Sequence, residues 1–410
     1  MPKESSNRSK DYQGAGQLTV DAILGITDIV ESMHHTITSI GGIIGQPGQT
    51  RTKGITGMIY KTVRTVTALA GKGLDVSLNH LGSLMEASES SPGREAVLSA
   101  LNGVLGDYLI GSENPLTISM CFRREGIPLR EEELSEIILQ SNGKVVILIH
   151  GLCMNDLQWN RDGHDHGAAL SCDLGITPIY LHYNTGRHIS ENGKEFANLL
   201  ETFLTSSPQP IELFIVAHSM GGLVSRSACH YAKLSGHTWL KQLKKMVLLG
   251  TPHHGAPLEK GGNWLENILK ISRYSLPFAR LGKIRSAGIL DLRYGNVVDE
   301  DWKGLNPHEL SGDQRTPVPL PEEVLCYAFA GTISKEVSKL GDDLIGDGLV
   351  TVNSALGRHK NPQLQLVFPE SHQRVEREIN HLDLLNKLEV YEVLNQWLAT
   401  EPIKLDKVYE

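Results

Sequence analysis

The chain has 410 residues, 40% of them hydrophobic, and its 39 basic and 47 acidic side chains give a formal charge of −8. That length exceeds one minimal domain and suits a large domain with an extension, or two domains. The acidic balance argues against a nucleic-acid partner, which favours a basic face, and makes an anionic membrane a poor general partner outside a local basic patch.

The five cysteines (Cys121, Cys153, Cys172, Cys229 and Cys326) are irregularly spaced and form no C-x-x-C pair, so they read as free thiols in a reducing compartment. The N-terminal stretch is polar, without the apolar run of a signal peptide. No segment approaches the roughly 18 apolar residues needed to span a bilayer. These features lead to the expectation of a cytoplasmic protein, and peripheral contact with a membrane or lipid granule is a further expectation.

Taken in order, residues 1–16 are polar and read as disordered. Ile23, Ile26, Val30, Met33, Ile37 and Ile40 step by three and four, as one face of a helix does. Ile55, Ile59, Val63 and Val66 repeat the pattern. Ser91-Pro92 announces a third helix, with an expected face of Val97, Leu101, Val104 and Tyr108. Residues 17–113 are therefore a helical N-terminal region, expected to cap the main domain rather than to anchor it to a lipid surface. The main domain is expected to fill residues 114–410.

Within that domain, the alternation at Ile118, Met120 and Phe122, followed by Gly126-Ile127-Pro128, predicts a β-hairpin. Glu131 to Glu133 opens a short helix. The run Val145 to Ile149 is continuously apolar, as a strand covered on both faces requires. Strands are predicted at Ile179–Tyr183, Ile211–Val216, Met246–Leu249, Val324–Ala330 and Gln363–Phe368. Helices are predicted at Glu195–Leu204, Leu223–Lys233 and Leu382–Leu398. Repeated strand–helix units mean an α/β fold with a mostly parallel, doubly wound sheet. The stretch from Pro257 to Pro321 breaks the rhythm and is expected to be a helical lid or cap.

The chemistry centres on Ile215-Val-Ala-His-Ser-Met-Gly-Gly222. A β-branched strand stops at small residues and a helix follows, which is the G-x-S-x-G turn with Ala217 in the first glycine position and Ser219 at its apex. A serine hydroxyl needs a base to take its proton and an acid to hold that base. The acid is sought in Gly346-Asp347-Gly348, with Asp342 and Asp343 as competitors. The base is sought in Asn380-His381-Leu382, with His359 and His372 as competitors. His218 is expected to pack behind the turn. Two backbone N–H groups should meet the developing oxyanion: that of Met220, after the serine, and that of Leu152, after the first central strand.

Five segments, V-V-I-L-I-H-G-L, V-A-H-S-M-G-G, L-G-T-P-H-H-G-A-P, G-D-G-L-V and N-H-L-D, occur in this order. Together they resemble the bacterial lipases and esterases of the α/β-hydrolase superfamily. The third also resembles enzymes related to GPI inositol-deacylases. The likeness runs from about Lys144 to the C-terminus. It implies an α/β-hydrolase fold and a carboxylic ester hydrolase acting without a cofactor, on a small-molecule ester or lipid. It also implies Ser219 as nucleophile, Asp347 as acid, His381 as base, and Leu152 and Met220 as oxyanion donors. Alanine at position 217 resembles the variant of some Bacillus-type lipases. An acyltransferase or polyester depolymerase would use the same residues, and a non-catalytic module would act through the N-terminal helices. The cluster Asp162, His164, Asp165 and His166 offers metal-ligand types, but a polar loop is the expectation and no metal is called for.

Overall fold

A computed structural model describes residues 13, 14, 17, 92–205, 207, 209–255, 286–304, 313–335 and 346–399. The first two expected helices, most of the expected lid, Asp342 and Asp343 lie outside the described residues.

Eight strands make one sheet: β1 (Cys121–Arg124), β2 (Ile127–Pro128), β3 (Lys144–Ile149), β4 (Thr177–His182), β5 (Glu212–His218), β6 (Leu243–Leu249), β7 (Leu325–Thr332) and β8 (Gln373–Arg377). Their spatial order is β2-β1-β4-β3-β5-β6-β7-β8. β1 pairs antiparallel with β2 and β4, and every pair from β4 across to β8 is parallel. The helices are α1 (Pro92–Gly111), α2 (Glu131–Gln140), α3 (His166–Leu174), α4 (Ile189–Thr205), α5 (Met220–Ser235), α6 (Ala287–Tyr294), α7 (Val352–Ala355) and α8 (Leu388–Ala399). This strand order, with helices on both faces, is an α/β-hydrolase fold.

The apolar run of β3 is explained by the two cores. Side chains alternate across a strand. Val145, Ile147 and Ile149 enter one core with Phe196 and Leu200 of α4 and Leu223 and Val224 of α5. Val146 and Leu148 enter the other with Leu170 of α3 and Leu394 and Trp397 of α8. Every position from Val145 to Ile149 is thus covered by one core or the other, which is why the run is continuously apolar.

Two expectations are corrected. The last strand is Gln373–Arg377 and not Gln363–Phe368. Leu364, Leu366 and Phe368 are indeed buried, but the Leu366 N–H bonds Gly357 O outside any ladder. Period-two burial shows one covered side of an extended segment and says nothing about strand pairing. The buried face of α1 is also different. Val97 and Tyr108 are 48% and 44% exposed, whereas Glu95, Ala96, Ser99, Ala100, Asn102 and Val104 are buried. Small and polar residues face inward because the helix lies directly on loop backbone, where larger side chains would not fit.

The chain clusters into two compact units, one of residues 1–91 with 109–117 and one of 92–108 with 118–410. Most of α1 therefore belongs to the unit that contains the sheet. No helix among the described residues is long and apolar enough to cross a membrane.

Lys245 is a buried cation in this second core. Its ammonium donates to Trp397 O and Leu398 O at 3.0 and 3.1 Å, where the end of α8 leaves carbonyls without intrahelical partners. Lys245→Met keeps the apolar stem and strands those carbonyls. The expected loss is about 1–3 kcal/mol, seen as a lower urea midpoint.

Candidate functional site

β5 ends at His218 and α5 starts at Met220, so Ser219 alone makes the turn. Its backbone sits at φ 55°, ψ −122°, a region that costs a non-glycine residue about 1–3 kcal/mol. The turn is held from both sides. Ser219 N–H bonds Leu249 O at 2.9 Å, and Gly222 N–H bonds Ser219 O at 3.0 Å. Gly221 lies so close to β3 that a Cβ there would stand 2.6 Å from Ile149 O.

The histidine and the acid arrive on separate loops. The Asp347 loop follows β7, and its Oδ1 accepts the N–H groups of Leu349 and Val350 at 3.0 and 2.8 Å. That leaves Oδ2 facing His381 Nδ1 at 2.7 Å. The His381 backbone N–H also bonds Asp347 O at 3.0 Å. With Nδ1 the donor of the neutral ring, Nε2 is left as its acceptor nitrogen. Both side chains are buried.

Ser219 and His381 line one cavity of about 10 Å³ with Leu152, Met154, Leu292, Leu349, Val350 and Leu382. That is room for about one water, and the walls are apolar. Gly151 abuts the serine, since a Cβ on it would stand 3.0 Å from Ser219 Cβ. Neither the Leu152 N–H nor the Met220 N–H has an acceptor among the described residues. All five residues expected at the site thus lie at the C-terminal edge of the parallel strands, where open α/β sheets place their ligands.

The competing histidines are engaged elsewhere. His359 faces Asp313 at 3.3 Å, and His372 Nδ1 faces Cys326 O at 3.2 Å. His218 packs behind the turn as expected, and it also holds His381. Its Nε2 is 3.0 Å from His381 O, with ring centroids 4.6 Å apart. A carbonyl can only accept, so Nε2 carries the proton. No spacing rule connects positions 218 and 381, so this contact is a product of the fold.

The loop carrying Asp162 and His166 is engaged in the same way. His166 Nε2 donates to Leu384 O at 3.0 Å, and its Nδ1 lies 2.8 Å from His164 Nε2. Asp165 Oδ1 accepts from Ala168 N–H and Tyr180 OH at 2.9 and 2.7 Å. Asp162 accepts from Asn386 at 2.8 Å. No group of three or more His, Cys, Asp or Glu among the described residues is placed to hold a metal ion.

Burial keeps the surrounding histidines neutral. His150 and His166 are pushed down to about 4 by desolvation, the first cause in each. His218 is driven well below 6.5 by desolvation and then by the nearby His381. These rings stay neutral in the folded state while the unfolded chain takes up protons below about 6.5. The fold is therefore at full stability above that pH and loses stability as pH falls from about 6.5 towards 4. A urea midpoint clearly lower at pH 5 than at pH 7.5 is the expected result.

Residues 140–311 match the family model described as a PGAP1-like alpha/beta domain. No curated protein matches the chain. Among solved structures, the mature lipase BlEst2 of Bacillus licheniformis is similar at 17% identity and a TM-score of 0.39, over 62% of this chain and 91% of that one. An esterase of Thermogutta terrifontis is similar at 14% identity and 0.34, over 68% and 92%. The RedJ thioesterase of Streptomyces coelicolor is similar at 13% identity and 0.35, over 63% and 91%. The assignment of the fold itself rests on the strand order and register described above.

Proposed function

We propose that the chain is a serine hydrolase of carboxylic esters that works through an acyl-enzyme. The observation that carries this reading is the convergence of Ser219, on its positive-φ turn, with the Asp347–His381 pair at a single apolar cavity.

In this reading Ser219 Oγ bonds to the ester carbonyl carbon while His381 Nε2 takes its proton. Asp347 fixes the ring and stabilises the imidazolium that forms. The carbonyl oxygen takes up the negative charge and is met by the Leu152 and Met220 N–H groups. Collapse of this intermediate breaks the C–O bond, and the alcohol leaves with the proton from His381. Water then repeats the sequence, giving up a proton to His381, releasing the acid and restoring Ser219. No cofactor is required. With a different alcohol in place of water the same steps amount to acyl transfer.

The side chains around Ser219 at Leu152, Met154, Leu292, Leu349 and Val350 are apolar, and on that chemical character, not on the volume of the cavity, a lipid or medium-chain ester is the proposed substrate class. A cytoplasmic location and peripheral contact with a membrane or lipid granule belong to the same proposal.

A fluorophosphonate probe tests the nucleophile, because attack forms an Oγ–P bond and expels fluoride. Wild type should be labelled, and Ser219→Ala should lose both labelling and ester hydrolysis. Persistent hydrolysis in that variant would overturn the assignment. Asp347→Asn should lower kcat by roughly 10⁴-fold, because the ring loses its fixed tautomer and orientation.

A further inference from the structure

Helix α1 lies outside the residues that match the family model, yet it touches the functional loops directly. Gly103 is pressed against the loop after β3. A Cβ there would stand 2.3 Å from Cys153 Sγ and 3.0 and 3.1 Å from Cys153 Cα and N. The Sγ contact is closer than real Cβ atoms come, and the two backbone contacts are tight enough that Cys153 would have to give by a few tenths of an ångström, so glycine is what permits this approach.

Cys153 follows Leu152 directly and sits at φ 60°, a left-handed conformation that persists only where the surroundings enforce it. The enforcing contacts are present. Cys153 N–H donates to Thr185 Oγ1 at 3.1 Å, and its Sγ lies 3.8 Å from Ala100 O. Two residues on, Asn155 Nδ2 donates to Ser99 Oγ at 3.2 Å. Beside it, Arg123 Nη1 bridges Glu95 Oε2 at 2.8 Å and Asp156 Oδ1 at 3.2 Å. All the partners Ser99, Ala100 and Glu95 are on α1. The Thr185 loop is tied to the same helix, because Asn184 Nδ2 donates to Gly106 O at 3.0 Å.

We infer that α1 is a positioning element for the oxyanion site, with Gly103 setting where the Leu152 N–H points through its contact with Cys153. This inference rests on the serine-hydrolase reading and assigns α1 a part in it. A shift of the Cys153 backbone by a few tenths of an ångström passes through Leu152 to the Gly151–Leu152 peptide, whose carbonyl accepts the Met154 N–H at 3.3 Å and faces His150 Nδ1 at 3.0 Å, and so turns the Leu152 N–H at its other end. The cost then falls on the transition state, where the oxyanion is fully formed, more than on substrate binding.

The test uses the full chain and a short p-nitrophenyl ester, with active sites counted by fluorophosphonate titration and folding checked by thermal unfolding. Gly103→Ala should lower kcat per titrated site at least tenfold with KM changed less than threefold. Adding Cys153→Gly removes the Sγ clash and relaxes the positive φ, and should recover most of the lost kcat. Ser99→Ala, a milder change on the same helix, should lower kcat in the same sense and serves if Gly103→Ala does not fold. Unchanged kcat per site in the folded variants, or a kcat loss not recovered by Cys153→Gly, would overturn the role of α1. A wild-type protein that neither reacts with the probe nor cleaves the ester would instead overturn the serine-hydrolase reading.

Discussion

The constraint on which the rest depends is the turn at Ser219. A serine at φ 55° stores strain that the isolated strand and helix would release. It survives because β5 is the central strand, bonded on one side to β3 and on the other to β6, so its end has nowhere to move. The same closeness dictates what surrounds it. Gly151 and Gly221 lie where any side chain would strike the serine or the β3 backbone. The turn thus lifts one hydroxyl clear of the sheet edge, and Gly151 and Gly221 are glycines because the space beside it is already filled.

Around that turn the polar groups are arranged in layers. Asp347 is held by two backbone N–H groups and in turn holds His381. His218 and His166 then donate to the carbonyls of His381 and Leu384, gripping the histidine loop at two points. A neutral imidazole suits this place. It supplies a hydrogen bond in a buried setting without the desolvation cost that a buried lysine or arginine charge would carry.

Helix α1 shows how an apparently accessory segment joins such a site. Its inward face is mostly small and polar, and its partners are loop backbone, loop side chains and Arg123 of β1. That is unlike a helix packed on a sheet, where Leu and Ile fill the gap, as they do on α2 at Leu134, Ile137 and Ile138. The contrast has a physical origin. Loops present polar backbone that must be hydrogen-bonded, whereas a sheet face presents apolar side chains to be covered.

The sequence by itself determined the βα rhythm, the hairpin at the first edge, and the candidate residues Ser219, Asp347, His381, Leu152 and Met220. These depend on local signals: apolar runs for doubly covered strands, small residues at a tight turn, and polar residues where strands end. It misplaced the last strand, because alternating burial at Leu364, Leu366 and Phe368 looks the same with or without a ladder. It also misread the face of α1, because helical periodicity marks apolar stripes and cannot see a face chosen for closeness. Tertiary structure alone decided that Asp347 and His381 meet at 2.7 Å, that His218 reaches His381, and that Gly103 lies on Cys153. Those pairs are far apart in the chain, and only the closing of the sheet between its two helix layers brings them within hydrogen-bond or van der Waals range.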